Sequence, residues 1–169
     1  MTFLITFVLF PGVTQLDFTG PAQVLCRVPD ADVAYVSATD GPVPTDCGFS
    51  VLPTGTLAAL RRTDLLCVPG GFGIVDAIGN ADLLADLRRL AADARYVTSV
   101  CTGALVLGAA GLLEGKEATT HWAYHDLLPL VGARPRRARV VRNGDTFTGG
   151  GVTAGVDFGL TIAAEVAGE

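Results

Sequence analysis

The chain has 169 residues, of which 50% are hydrophobic and 17% charged, and its formal net charge is −5 at pH 7. This length predicts a single domain over residues 1–169, and the composition is typical of a compact protein with a substantial buried core. The negative charge argues against the basic surface of nucleic-acid-binding proteins, so we expect no nucleic-acid partner.

The chain opens with an apolar run, Phe3–Phe10, which predicts a buried first strand. The run resembles the core of a signal peptide, but it has no basic leader and Pro11-Gly12 ends it early. The sequence has no apolar run long enough for a membrane helix. We therefore expect a soluble, cytoplasmic protein without a membrane partner, whose four cysteines are free thiols.

A loop and a helix are predicted after the first strand. Val13–Pro21 predicts the loop, and we expect the helix over Pro21–Arg27 because proline is favoured at the first helical position. Asp17 is thereby placed in the connection at the carboxyl end of the first strand. A second strand is predicted at Val33–Ser37, before a turn-rich segment at Asp40–Gly48.

The middle of the chain predicts two strand–helix units in succession. Leu65–Val68 predicts a buried strand that runs into the glycine turn Gly70-Gly71, and the segment after it has leucines at helical spacing. Tyr96–Val100 is rich in β-branched residues, whereas an Ala/Leu-rich run follows Thr102-Gly103. Cys101 is therefore predicted at a strand-to-helix junction.

The last third of the chain completes the alternation of strands and helices. The predicted elements are a short strand at Ala118–Thr120, a helix at Trp122–Val131, a hairpin of Arg139–Arg142 and Asp145–Thr148 around Asn143-Gly144, and a helix over Thr153–Val166. Such alternation predicts a doubly wound, mostly parallel sheet flanked by helices, of the flavodoxin-like type, with the hairpin as an antiparallel addition.

The junction at Cys101 has the layout of a nucleophile elbow, in which a sharp turn exposes the nucleophile and helix-start amides stabilise negative charge. Those amides and the helix dipole favour a thiolate. A cysteine after an apolar strand can instead be a core residue, but the small polar pair Thr102-Gly103 favours an exposed turn. Because strand carboxyl ends meet at one crevice, we expect Asp17, Gly70-Gly71 and Gly149–Gly151 to converge on Cys101.

Other residues suggest sites of different kinds. His121 and His125 have a spacing that some zinc sites share, but the glutamate of H-E-x-x-H is missing, so we expect no metal and assign His121 to a pocket wall or a helix cap. Gly149–Gly151 could cradle a phosphate, but no Gly-Lys-Ser/Thr follows, which favours close backbone approach to the crevice. The basic cluster Arg136, Arg137 and Arg139 is predicted to be a solvated face.

Four stretches carry a resemblance to a known family: Gln15–Pro21, Val68–Gly71, Thr98–Gly103 and Ala118–His125. They are similar to the cysteine-elbow superfamily that includes PfpI-type peptidases, glutamine amidotransferase-like domains and, within it, the isocyanide hydratases. The resemblance spans nearly the whole chain. Sensor domains of some transcription regulators share both the Cys-Thr-Gly elbow and the Thr-Thr-His-Trp stretch, so two functions stay open.

The resemblance to the hydratases implies catalytic roles for Cys101 as the nucleophile and Asp17 as the acid/base carboxylate, with Thr102 beside them. In that chemistry the thiolate attacks the terminal carbon of R–N≡C, a carboxyl group supplies the proton, and water releases an N-substituted formamide from the thioimidate. The resemblance implies no cofactor and an isocyanide as the small-molecule substrate. The predicted substrate-binding residues are Gly70, Gly71, Gly150, Gly151, Val152 and His121.

Departures from the superfamily pattern narrow the choice of function. PfpI-type peptidases place a histidine directly after the nucleophile, where this chain has Thr102, so peptidase activity is not expected. Many members use a glutamate as the acid, whereas Asp17 is shorter, as in isocyanide hydratases. The alternative is a ligand-sensing domain, for which we expect a helix-turn-helix segment after Glu169. The resemblance also implies a homodimer.

Overall fold

Strands and helices alternate along the part of the chain that the computed structural model describes, residues 2–168. Its strands are β1 Phe3–Val8, β2 Ala31–Ser37, β3 Val43–Pro44, β4 Ser50–Val51, β5 Gly55–Thr56, β6 Leu65–Val68, β7 Tyr96–Val100, β8 Glu117–Ala118, β9 Arg134–Pro135, β10 Val140–Asn143 and β11 Thr146–Gly149. Its α-helices are α1 Gln15–Leu25, α2 Ile74–Gly79, α3 Ala81–Ala91, α4 Gly103–Ala109 and α5 Ala154–Ala167, and a 3₁₀-helix spans Trp122–Val131.

Seven of these strands form one sheet, in the order β10-β11-β7-β6-β1-β2-β5. Neighbouring strands are parallel except for β10 and β11, which pair antiparallel across the Asn143-Gly144 turn. The short strands form two separate pairs, β3–β4 and β8–β9. The doubly wound, mostly parallel sheet is therefore confirmed, and so is the hairpin at its edge.

The central strands are buried on both faces. Every residue of β6 and β7 is buried, as expected for parallel strands covered by helices on both sides. The helices pack in two groups, because α1 contacts α5 while α4 contacts α2, α3 and the 3₁₀-helix. Within residues 2–168, no helix combines the length and the apolar character needed to cross a membrane.

Helix α1 begins at Gln15 rather than at Pro21, so the prediction for this segment was wrong. Pro21 lies inside the helix, where proline removes a backbone hydrogen bond. The proline packs against two glycines of α5: a Cβ on Gly159 would lie 3.0 Å from Pro21 Cα, and one on Gly155 would lie 3.2 Å from Pro21 Cδ. This close contact between helices offsets the lost bond and places Asp17 in the first turn of α1 instead of in a loop.

The order of the strands reverses at β1, which has β2 on one side and β6 on the other. In open parallel sheets, ligands bind at the carboxyl ends of the strands next to such a switch point. The connections that leave β1, β6 and β7 there carry Asp17, Gly70 and Cys101. The topology therefore brings these three residues to one crevice.

Candidate active site

Cys101 occupies the turn between β7 and α4 with a backbone φ of 58°. A residue other than glycine adopts this left-handed conformation only when its surroundings hold it there. Two hydrogen bonds do so: the Cys101 amide donates to the Gly149 carbonyl at 2.9 Å, and the Thr120 hydroxyl donates to the Cys101 carbonyl at 2.8 Å. The sharp turn expected of a nucleophile elbow is thus present at Cys101.

The Cys101 side chain lines a cavity of about 340 Å³. The cysteine itself is only 6% exposed, so a small molecule reaches its thiol through this cavity. The residues that line it are Thr14, Asp46, Gly71, Phe72, Cys101, Thr102, His121, Ala123, Tyr124 and Val152. Aromatic and aliphatic side chains thus share the walls with a few polar groups, as in pockets for small organic ligands.

Asp17 lies behind the elbow and is fully buried. Its Oδ2 accepts a hydrogen bond from the Gly70 amide at 3.1 Å, and its Oδ1 accepts one from the Val152 amide at 3.0 Å. Although Asp17 belongs to the first turn of α1, these donors belong to other segments. The carboxylate is therefore not a cap of its own helix.

Burial raises the pKa of the Asp17 carboxyl to about 6. The Val152 amide, the Cys101 thiol and the Gly70 amide act in the opposite direction, because each stabilises the charged carboxylate, and the Asp46 charge adds a further rise. A carboxyl group with this pKa exchanges protons near neutral pH, which is what general acid–base catalysis requires.

Burial, followed by the nearby Asp17 charge, raises the pKa of the Cys101 thiol to about 12, although the Thr102 amide lowers it. The expected resting thiolate is therefore wrong, because desolvation and a negative neighbour outweigh the helix-start amides. At neutral pH the raised pKa of the thiol favours one proton on the pair, carried by the Cys101 sulfur. Its members are best treated as one unit.

Gly70, Gly71 and Thr102 form the contact between the β6 turn and the elbow. The Gly71 amide donates to the Thr102 hydroxyl at 3.1 Å, and Thr102 is 4% exposed. A Cβ on Gly70 would lie 2.5 Å from Thr102 Oγ1, so only glycine fits there. The two glycines predicted for the substrate site differ in placement: Gly71 lines the Cys101 cavity, whereas Gly70 lies behind it and holds Asp17.

The loop before α5 covers the sulfur. A Cβ on Gly151, whose φ is 120°, would lie 3.1 Å from Cys101 Sγ, so a side chain there would press on the thiol. Val152 lines the cavity with its side chain and holds Asp17 with its amide. Gly150 does not line the Cys101 cavity; its amide donates to the Arg139 carbonyl at 2.8 Å.

Both histidines have partners that explain their positions. The His121 Nδ1 accepts a hydrogen bond from the Ala123 amide at 3.3 Å at the start of the 3₁₀-helix, and His121 lines the Cys101 cavity. The His125 Nε2 lies 3.0 Å from the Thr119 hydroxyl. In the described part of the chain, no group of three or more metal-ligand side chains lies together.

Sequence reasoning missed five residues that line the cavity: Thr14, Asp46, Phe72, Ala123 and Tyr124. The Thr14 hydroxyl donates to Asp46 Oδ2, which joins the start of α1 to the turn-rich segment. Phe72 is 82% exposed and directly follows Gly71. Proximity to predicted site residues was the available signal for Thr14, Phe72 and Tyr124, whereas the sequence around Asp46 carries none.

Comparisons with known proteins concern the sequence and the fold of the chain. The sequence profile of the DJ-1/PfpI family matches residues 4–165. An isonitrile hydratase from Pseudomonas putida is 55% identical over 168 residues, which cover 99% of this chain and 74% of that protein. The HTH-type transcriptional regulator CdhR from Pseudomonas aeruginosa is 33% identical over 96% of this chain but 50% of its own length. A solved THiJ/PfpI family protein from Pseudomonas syringae superposes with a TM-score of 0.95 at 42% identity, over 98% of this chain and 69% of that one.

Proposed function

The chain belongs to the DJ-1/PfpI family, and on that premise we propose that it catalyses the hydration of isocyanides to N-substituted formamides. The similarity to the isonitrile hydratase extends over nearly the whole chain and supports this reaction. The regulator alternative has weaker support, because the similarity to the regulator is lower and covers only half of that protein.

The observation that carries the proposal is the placement of Cys101 on a mostly apolar cavity of about 340 Å³, with the buried Asp17 carboxyl behind it, held by the Gly70 and Val152 amides. Formation of the thioimidate R–N=CH–S requires one sulfur and one proton at the same terminal carbon. The Cys101 thiol, with the Asp17 carboxylate as the acceptor that transfers its proton, supplies both.

In the first step, the Asp17 carboxylate accepts the thiol proton as the sulfur attacks the terminal carbon of R–N≡C. The C–S bond forms, and Asp17 then delivers the proton to that carbon, so the S–H bond is replaced by C–S and C–H bonds. The carbon lone pair of the isocyanide becomes the C–H bond, and one π pair of the C≡N bond moves to nitrogen, where it is the lone pair of the thioimidate. Asp17 ends the step as a carboxylate, held by the Gly70 and Val152 amides.

In the second step, the same carboxylate acts as a base toward water. It accepts one proton as the water oxygen adds to the thioimidate carbon, and it passes that proton to the nitrogen. Collapse of the tetrahedral adduct breaks the C–S bond, and the remaining hydroxyl proton returns through Asp17 to the sulfur. The products are R–NH–CHO and the original pair, so atoms and charges balance.

Thr102 supports the leaving sulfur in this scheme. Its amide and side chain both stabilise negative charge on Cys101, as the direction of their effects on the thiol pKa indicates. The substituent R is then held by the walls of the cavity. We assign Gly71, His121 and Val152, together with Phe72 and Tyr124, to that contact.

We further propose that the protein works in the cytoplasm as a homodimer. Several large apolar side chains are more than two-thirds exposed in the single chain, including Phe72, Trp122 and Leu130, and exposed apolar surface of this kind supports a self-interface. Light scattering at micromolar concentration tests the assembly: a mass of two chains is expected, and a mass of one chain contradicts it.

The reaction is tested by incubating purified protein with an aryl or alkyl isocyanide and measuring formamide by NMR. We expect turnover with the wild-type protein and only background formation with Cys101→Ala. Iodoacetamide labelling of Cys101, mapped by peptide mass, runs alongside. A wild-type protein whose Cys101 is labelled but which forms no formamide would leave the nucleophile in place and overturn the hydratase proposal.

A further inference from the structure

A second cavity, of about 430 Å³, adjoins the Cys101 cavity and has a different chemistry. The two cavities share His121 and Val152 as lining residues. Arg137, Arg139 and His125 also line the second cavity, and no aspartate or glutamate of the described chain does so. In a protein with a net charge of −5, this cavity collects cationic and hydrogen-bond-donating groups.

The two arginines differ in how their guanidinium groups are engaged. The Arg139 Nε donates to Asp157 Oδ2 at 2.6 Å and so is largely neutralised. Within residues 2–168, no hydrogen bond or ion pair engages Arg137. All three arginines of the predicted solvated face are exposed. Arg136 pairs with Glu117 at 3.0 Å outside the cavity lining, whereas Arg137 is exposed at the cavity mouth. The Arg137 guanidinium keeps all of its donors for a ligand.

One further feature of the wall favours an anion. Thr153 and Ala154, at the start of the fourteen-residue helix α5, also line the cavity. The dipole at the start of a helix of this length adds positive potential, although the amides of Ala154, Gly155 and Val156 donate to carbonyls of the preceding turn.

We propose that this second cavity binds a small oxyanion, a carboxylate or a phosphate group, through the Arg137 guanidinium. The planar fork of arginine matches both groups and makes charge-assisted bonds to them. The cavity is larger than either group alone, so the oxyanion belongs to a larger molecule or shares the space with water.

Two sources of the oxyanion are compatible with the geometry. Because the cavities meet at His121 and Val152, the anion can be the tail of an isocyanide whose reactive carbon lies at Cys101; this source rests on the proposed hydratase function. Alternatively, it is a separate carboxylate or phosphate compound that binds beside the site. The chemistry of recognition is the same in both cases.

Calorimetric titration with inorganic phosphate and with acetate tests the site directly. We expect Arg137→Gln to weaken binding about tenfold or more, since a charged partner contributes strongly to such a bond. Arg136→Gln is the matched control, because it removes the same charge from the adjacent position outside the cavity, and it should change the dissociation constants less than twofold. Equal affinities in the wild type and Arg137→Gln, or equal losses in both variants, overturn the proposal.

Hydration kinetics then distinguish the two sources. Two isocyanides of equal length are compared, one ending in a carboxylate and the other in a carboxamide. For a substrate tail, Arg137→Gln lowers kcat/KM about tenfold for the carboxylate compound alone; for a separate anion, it changes neither rate while phosphate binding still falls. The phosphate titration is repeated with Cys101→Ala, which should bind normally, so a failure of isocyanide hydration and a failure of the anion site give different results.

Discussion

Cys67 lies on β6 and Cys101 directly follows the neighbouring strand β7, yet only one of them is placed to react. Burial is the largest cause that raises the pKa of both thiols to about 12. Cys67 sits inside β6 with a fully buried side chain, paired in register with Thr98. Cys101 follows the end of β7 in a left-handed turn and lines the cavity. Thiol pKa and burial therefore do not distinguish a nucleophile from a core residue; backbone conformation and access do.

The positive φ of Cys101 is the physical basis of this difference. Such a conformation costs on the order of 1–3 kcal/mol and persists only where neighbouring contacts maintain it. At Cys101 the Gly149 carbonyl and the Thr120 hydroxyl provide these contacts. The extended strand around Cys67 carries no such cost, and its side chain points into packing.

The largest expected difference between the two cysteines is the effect on turnover when each is replaced by alanine. Cys101→Ala should reduce formamide formation to the background rate, because no other group can form the thioimidate. Cys67→Ala should leave kcat/KM within about twofold, since its thiol does not line the cavity. Steady-state formamide assays check both values, and a Cys101→Ala protein with substantial turnover would contradict the assignment of the nucleophile.

Asp17→Asn tests whether Asp17 is the proton acceptor in the reaction. We expect turnover to fall about 10²- to 10⁴-fold, the range that general acid–base groups contribute. In asparagine an NH₂ group replaces one of the two oxygens that accept from the Gly70 and Val152 amides. One buried amide then has no acceptor, which lowers the free energy of unfolding by about 1–3 kcal/mol. Assays are paired with urea unfolding to separate the two effects. Near-normal turnover would remove Asp17 from the mechanism.

The pH dependence follows from the pKa of about 6 at Asp17. Below that pH both Asp17 and Cys101 are protonated, so kcat/KM should fall about tenfold per pH unit and reach a plateau above it. The same acidic limb should vanish in the residual activity of Asp17→Asn. A wild-type rate that is constant from pH 4.5 to 8 would contradict this assignment.

The contribution of Asp17 to the free energy of unfolding falls as pH rises, whereas its contribution to kcat/KM increases. The pKa of Asp17 is higher in the folded protein than the ordinary aspartate value of 3.8, so the native state binds its proton more tightly. The resulting stabilisation is full below about pH 4 and is lost as pH rises through about 6, with a total of about 3 kcal/mol. Urea unfolding from pH 4 to 7, compared with Asp17→Asn, measures this contribution; parallel curves would contradict it.

Alkylation rates distinguish the two buried thiols by how readily a reagent reaches each of them. With iodoacetamide at neutral pH, Cys101 should label more slowly than the exposed Cys26 and Cys47, and Cys67 should label only on unfolding. Asp17→Asn should accelerate labelling of Cys101 because it removes the charge that raises the thiol pKa. Peptide mass mapping follows each site, and equal rates at Cys67 and Cys101 would count against the comparison.

The smallest expected effect is on the stability of the core around Cys67. Removing its buried sulfur in Cys67→Ala should lower the free energy of unfolding by about 1 kcal/mol, since one buried atom is lost and a small void remains. Cys101→Ala should cost less, because its side chain already borders a cavity. Urea midpoints of the two variants give the comparison.

Local sequence was sufficient to predict those elements whose structure depends mainly on residues adjacent in the chain. The change from β-branched residues to an Ala/Leu-rich run predicted the junction at Cys101, and Asn143-Gly144 predicted the edge hairpin. It failed at Pro21, since the local preference of proline for a helix start is weaker than the packing of that residue against Gly155 and Gly159.

Electrostatics of the site could not be predicted in the same way. The resting charge of Cys101 depends on how near Asp17 lies and how deeply it is buried, and neither property is encoded beside the cysteine. Likewise, nothing in the sequence around Arg137 distinguishes it from Arg136, although only Arg137 borders a cavity. These properties depend on which residues, distant in the sequence, the fold brings into contact.

The hydrogen bonds of Asp17 join residues that are 53 and 135 positions apart in the chain. Contacts of such long sequence separation close large loops and are slow to form, because the entropy of closure must be met before they stabilise the protein. A refolding chain that has already formed β7 and α4 can therefore still lack a functional proton acceptor. Recovery of activity after dilution from denaturant should coincide with the slowest folding phase, which makes catalysis itself a probe of when the last helix docks.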